Sequence, residues 1–197
     1  AVVTTAEQRM GIPFDPRIEL VEPNVERLPG YVAALESGWS PNTTRDVSGE
    51  QAAAIRDDAE SFVRDLNRRE GGTVTLADGT EVSRLPSRVF WIWDGEFCGA
   101  INLRFVPGSE ALPPHVSGHV GYAVVPWKRN RGYARQALRQ LLPVAYGLGL
   151  PRVLITCDED NAPSRRVVEE NGGVAAGVAP HPDDSGKRKL LFWVSTT

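Results

Sequence analysis

Cysteine is scarce in this chain of 197 residues: the only two, Cys98 and Cys157, lie in apolar runs, so no disulfide framework of the small secreted kind is available. That scarcity points to a reducing, cytoplasmic setting. Long hydrophobic runs are lacking as well. The most apolar stretch, residues 141–150, is far too short to span a bilayer, and residues 1–10 hold no apolar segment behind a basic start, so neither a membrane anchor nor a targeting peptide is expected. An excess of one charge sign is also missing. Lys plus Arg number 22 and Asp plus Glu 25, a net charge of −3, which excludes a general nucleic-acid or anionic-membrane binder and leaves room only for a local basic patch. The sequence contains neither G-x-G-x-x-G nor G-x-x-x-x-G-K-[ST], which argues against NAD and ATP. There is no internal repeat, low-complexity tract or heptad run.

What is present suits one packed domain over residues 1–197, for five Trp and six Phe supply large apolar surfaces and hydrophobic residues make up 41% of the chain. Residues 18–21 read as a strand, and Pro23-Asn24 opens a helix predicted to run to Ser37. Ser48 and Gln51 have capping-box spacing ahead of a helical apolar stripe, Ile55, Ala59, Phe62, Val63 and Leu66, which predicts one helix ending before Gly71-Gly72. Two hairpins follow around Asp78-Gly79 and Asp94-Gly95. Residues 118–125 form another strand, and residues 131–148 carry helical periodicity in which Pro143 predicts a kink or an early end. A short strand at 151–157, a helix from Asn161 to Glu170 with Pro163 in its first turn, and two strands at 173–178 and 187–194 complete the chain. The order predicts an α+β or mixed α/β fold, a largely antiparallel sheet with helices packed on its faces.

The most informative segment runs from Gly118 to Ala134: strand, basic loop, glycine, helix. A helix start offers unpaired N–H groups and the positive end of the dipole, Gly132 admits a ligand to the backbone, and Lys128, Arg129 and Arg131 add positive charge. That combination suits a pyrophosphate; the bland alternative is a solvated basic loop with a glycine for turn geometry. Here the sequence resembles the GNAT superfamily of N-acetyltransferases, whose motif [Q/R]-x-x-G-x-[G/A] is matched by Arg129, Gly132 and Ala134. A second match follows, since the helix from Asn161 with Ser164 is similar to the family's N-x-x-[S/A] helix, and it ends at Gly172-Gly173. The resemblance spans residues 89–194, with residues 1–72 supplying an N-terminal strand and helices of the same domain.

The resemblance implies a GNAT-like acyltransferase fold with a twisted central mixed sheet, and acetyl-CoA lying between two splayed strands. Its pantetheine would pair with Val124 and Val125, and its pyrophosphate would meet the backbone of Arg129, Asn130, Arg131, Gly132, Tyr133 and Ala134. Asn161 and Ser164 would lie near the pantetheine amide, although Asn161 also reads as a plain helix N-cap. The implied reaction is direct attack of a primary amine, on a small molecule or a protein, with no metal and no covalent enzyme intermediate. Acyl transfer of this kind needs a neutral amine, hydrogen bonds to the oxyanion and a proton for the departing thiolate.

Two departures from the family pattern concern those protons. The usual tyrosine, seven residues after the asparagine, is Val168, and the usual strand glutamate is Gly121. Strand alternation offers His119 as a substitute base, against a structural histidine in a strand, and proximity offers Tyr122 and Tyr133 as proton donors, against packing in the core. Glu96, Glu110, Asp158 and Glu159 are candidates for an amine pocket or simply solvated charges, and Cys157 reads as an inert thiol. The two departures leave a non-catalytic acyl-CoA-binding module as an alternative function. A metal site on His115, His119 and His181 is disfavoured, because i,i+4 spacing helps only on a helix and Pro113-Pro114 precede it. Monomer and homodimer are equally open, with residues 187–194 as an edge able to pair between chains.

Overall fold

A computed structural model of the chain describes residues 13–182 and 184–197, so the reading of residues 1–10 lies outside the described residues. The N-terminal part holds β1 (Glu19–Val21), α1 (Leu28–Glu36), α2 (Ser48–Asp57) and α3 (Ala59–Leu66). Two departures from expectation occur here. Asn24 does not open the helix; its Oδ1 accepts the Arg27 N–H at 2.8 Å in a turn, and α1 begins only at Leu28. The single helix expected from Ser48 breaks at Asp58, whose backbone is extended and whose Oδ1 caps the Ser61 N–H at 3.0 Å, the arrangement a helix-starting aspartate favours. Ser48 is itself inside α2 and does not cap it; its N–H and its hydroxyl both donate to Asp46 Oδ1, at 2.9 and 2.6 Å.

The middle of the chain is antiparallel hairpins, β2 (Thr73–Thr75) with β3 (Glu81–Ser83) and β4 (Ser87–Trp93) with β5 (Phe97–Arg104). Then come β6 (Val120–Val124), a 3-10 turn (Pro126–Lys128), α4 (Tyr133–Gly147), β7 (Arg152–Asp158), α5 (Ala162–Glu170), β8 (Val174–Pro180) and β9 (Arg188–Ser195). Pro143 does not end α4. The helix carries it for another turn to Gly147, with Leu141 and Ala145 on either side buried, so packing outweighs the one backbone bond that proline cannot make.

The strands form one sheet in the order β1-β4-β5-β6 and another in the order β7-β9-β8, with β2-β3 as a separate ribbon. The boundary between the two sheets decides what the fold can do. At the vertex the residue just before β6 is tied to β7: the His119 N–H reaches the Leu154 carbonyl at 2.8 Å, and His119 Nδ1 accepts the Leu154 N–H at 2.8 Å. A Cβ on Gly118 would stand 3.0 Å from that same carbonyl, so a bare backbone lets the strands meet so closely. Beyond the vertex β6 and β7 are not paired, and a gap opens between the sheets.

Each face of the sheets carries its own core. Leu138, Leu141 and Ala145 of α4 and Val168 of α5 pack with Ile101, Leu103, Val153 and Ile155 on one face. On the other, Tyr31, Leu35 and Trp39 pack with Trp91 and Phe97, the Tyr31 ring stacked on Trp91 at 5.0 Å and meeting Phe97 edge-on at 5.3 Å. The N-terminal segment is held against α4 by two glutamines. Gln136 Oε1 takes the Asp15 N–H at 3.0 Å, while Gln140 donates to the Ile18 carbonyl at 2.8 Å and accepts the Leu20 N–H at 3.2 Å. Among the described residues no helix is long and apolar enough to cross a membrane.

Candidate active site

The gap between β6 and β7 widens into a cavity of about 510 Å³, walled by β6 on one side and by the start of α4 and the length of α5, as far as Glu170, on the other. Register with β5 fixes what β6 offers it. Ala123 pairs with Ala100 and the Val125 N–H reaches the Cys98 carbonyl at 2.9 Å, so by alternation Tyr122 and Val124 turn their backbone groups away from β5 and into the gap. Val125 is therefore spent on the sheet, fully buried and absent from the cavity wall, whereas Val124 lines it.

After β6 the chain turns sharply. The 3-10 turn brings Arg129 into extended conformation, Asn130 has φ of 60° and Gly132 of 82°, and α4 begins with no side chain capping its first turn. Successive N–H groups beside left-handed residues make an anion-binding concavity, reinforced by the helix dipole. Arg129, Asn130, Gly132, Tyr133 and Ala134 line the cavity, and Arg129 also donates from Nε to the Val124 carbonyl at 3.1 Å. Arg131 is exposed and does not line it. Lys128 lines it but does not carry an unbalanced charge, for its Nζ sits 2.8 Å from Asp94 and 3.3 Å from Glu96. The sequence missed Arg166, which lines the same wall from α5 and brings a further cation.

Asn161 serves as the N-cap of α5, its Oδ1 accepting the Ser164 N–H at 3.1 Å, and it also faces the cavity. Across from it the Tyr122 hydroxyl lies 2.8 Å from Ser164 Oγ. Burial pushes the Tyr122 phenol up to about 12, so it keeps its proton at neutral pH. Val168, at the position of the usual tyrosine, is fully buried in the core and presents nothing to the cavity.

His119 is not brought to the cavity. Its ring is fully buried in the vertex, Nδ1 is taken by Leu154, and burial first and Arg104 second push its pKa below the ordinary value, so the imidazole is neutral. The acidic candidates are not gathered there either. Glu110 pairs with Arg152 at 2.8 Å, Asp158 with Lys189 at 2.7 Å, Glu159 with Arg188 through Nε at 2.9 Å, and Glu96 with Lys128. Above Gly121 stands the Asn102 side chain, whose Oδ1 accepts the Gly121 N–H at 3.0 Å and would meet any Cβ placed there. Thr43, from the loop between α1 and α2, reaches the cavity from the face that Gly121 and Ala123 share, a residue that nothing in the local sequence marked. Among the described residues no three His, Cys, Asp or Glu side chains are grouped to hold a metal; His115 is exposed on a loop and His119 is buried. Burial raises the pKa of Cys157, which keeps it a thiol.

A strand, an uncapped helix start in a left-handed turn and a second helix capped by asparagine thus converge on one gap between splayed strands. The sequence profile described as Acetyltransferase (GNAT) domain matches residues 17–174. The chain belongs to the GNAT acetyltransferases. It is accordingly an acetyl-CoA-dependent N-acetyltransferase, with acetyl-CoA as cosubstrate. No curated protein matches it at a significant level. Solved structures share the fold of this GNAT chain at low identity. RimJ of Mycobacterium smegmatis, solved with CoA-disulfide, is 20% identical over 90% of this chain and 81% of its own, with a TM-score of 0.62. The microcin self-immunity acetyltransferase MccE, solved with acetyl-CoA and AMP, is 12% identical over 92% and 93%, with a TM-score of 0.61. A Salmonella typhimurium acetyltransferase that modifies the N-terminal serine of a 50S ribosomal subunit protein is 16% identical over 93% and 98%, with a TM-score of 0.60.

Proposed function

We propose that this GNAT acetyltransferase, with residues 1–197 as one domain, binds acetyl-CoA in the gap between β6 and β7 and passes the acetyl group to a free α-amino group. The pyrophosphate lies on the turn from Arg129 to Ala134, and the thioester lies between Tyr122 and Asn161. The backbone N–H of Val124, turned into the gap, serves the developing oxyanion. The Tyr122 hydroxyl, steadied by Ser164, donates to the departing thiolate. The amine nitrogen bonds to the carbonyl carbon, the carbon–sulfur bond breaks as Tyr122 protonates the thiolate, and the amine's surplus proton leaves to water, from which the Tyr122 phenolate regains a proton.

The observation that carries the choice of acceptor is Gly121 beneath Asn102, where the family usually places a carboxylate base. With no carboxylate at that position, an acceptor that arrives neutral suits the site. An α-amine (pKa about 7.8) is neutral at pH 7 roughly 350 times more often than a lysine side chain (pKa about 10.4). The neighbour that modifies an N-terminal serine supports the same reading. The two buried thiols support a cytoplasmic location.

Two measurements test this. Thermal unfolding with acetyl-CoA, CoA, NADH and ATP in parallel should show stabilisation by the first two alone; a ligand at 100 times its Kd contributes about 2.7 kcal/mol. Thiol release should then follow with peptides bearing a free N-terminus. Turnover confined to lysine side chains would overturn the acceptor, and tight acetyl-CoA binding with no thiol release from any amine would leave only a binding module. With the acceptor found, Tyr122→Phe should lower kcat about a hundredfold with KM for acetyl-CoA little changed. An unaltered kcat would assign the proton to solvent.

A further inference from the structure

The β4–β5 hairpin turns at Asp94-Gly95, and the two oxygens of Asp94 do different things. Oδ1 accepts the Glu96 N–H at 3.1 Å, the bond that forms the turn itself, with Gly95 at φ of 105°. Oδ2 leaves the hairpin and takes two donors, Lys128 Nζ at 2.8 Å and the Tyr133 hydroxyl. Those donors stand at the two ends of the turn that lines the cavity, Lys128 closing the 3-10 turn and Tyr133 opening α4, and the left-handed residues Asn130 and Gly132 lie between them. The contact is largely dry: Lys128 is 12% and Asp94 10% exposed, and the ammonium also lies 5.7 Å from the centre of the Tyr133 ring.

We propose that Asp94 is a positioning residue for the cofactor, one carboxylate oxygen gripping both ends of the phosphate-binding turn so that its N–H groups converge. The inference rests on the acetyl-CoA reading of the cavity and adds a residue that touches no part of the ligand. It also assigns Lys128 a role other than phosphate contact: its charge is neutralised by Asp94 and Glu96, and the phosphates are left to the backbone, Arg129 and Arg166. Burial alone would raise the Asp94 pKa, yet the hydrogen bonds from Lys128 and Tyr133 outweigh it and hold the group at about 2, so the grip persists across the working pH range.

Asp94→Asn is a selective probe, because the amide oxygen keeps the turn-forming bond to Glu96 while the charge on the other side is lost. Calorimetric titration with CoA should show Kd raised at least tenfold in Asp94→Asn. Amide resonances of residues 129–132 in the ligand-free protein should broaden, while those of β7 and β9 stay in place. Asp94→Asn combined with Lys128→Gln should be no weaker than Asp94→Asn alone, since both act through one contact. Unchanged affinity would overturn the proposal. So would tighter binding in Asp94→Asn, which would mean a released Lys128 serves the phosphates directly, and so would losses that add. Absence of CoA binding in the unmodified protein would instead overturn the acetyl-CoA reading.

Discussion

Gly132→Val is expected to raise the Kd for CoA at least a hundredfold, measured by calorimetry, with the sheets still folded. At φ of 82° Gly132 sits where an L side chain costs about 1–2 kcal/mol and a β-branched one more. The valine would move the backbone to relieve that strain. Movement there redirects the N–H groups at the start of α4, each worth about 1.5–3 kcal/mol when bonded to a charged partner. Loss of two such bonds exceeds the 2.8 kcal/mol that a hundredfold represents, at about 1.4 kcal/mol per factor of ten. Unchanged affinity would remove the pyrophosphate from this turn.

His119→Ala is expected to act on the fold and to leave the chemistry intact. Removing the ring orphans the buried Leu154 N–H and opens a void at the vertex, together costing about 3 kcal/mol. For a chain of this size that lowers Tm by roughly 6–12 °C. At a temperature where both proteins are folded, turnover and its pH profile should match those of the parent; a flattened profile would make His119 a base after all. The neutral imidazole gives the parent a pH signature. Its folded pKa is lowered, so the unfolded chain binds the extra proton first, and the stability His119 contributes is present above about pH 6.5 and lost below it. Melting curves at pH 7.5 and 5.5 should therefore converge between the parent and His119→Ala.

The two hairpins, the helix after the phosphate turn and the asparagine-started helix were legible in the sequence because each is set by local chemistry: Asp-Gly turns, an apolar stripe, a cap followed by Pro163. The break at Asp58 was hidden by an apolar stripe that runs through it, although the aspartate is a helix-starting residue in its own right. His119 shows what alternation cannot reach. Counting residues put it on the face of Gly121, but it lies before β6 begins, and the orphaned N–H of a different strand claims its ring. Asp94 was legible only as half a turn signal, because its second oxygen acts on residues 34 and 39 positions away. Thr43 reaches the cavity from the α1–α2 loop, and no local pattern announces such an approach.

The glutamine clamp of α4 has a consequence for how the protein is made. Its bonds to the Asp15–Leu20 segment join residues 120 to 122 positions apart, so a chain synthesised from its N-terminus holds that segment only through the pairing of β1 with β4 until Gln140 has been added. At about 5–20 residues per second that interval lasts roughly 6–24 seconds. The same helix begins at the phosphate turn, so the clamp on the edge strand and the phosphate-binding half of the cofactor's seat form together late in synthesis, with the α5 wall still to be added.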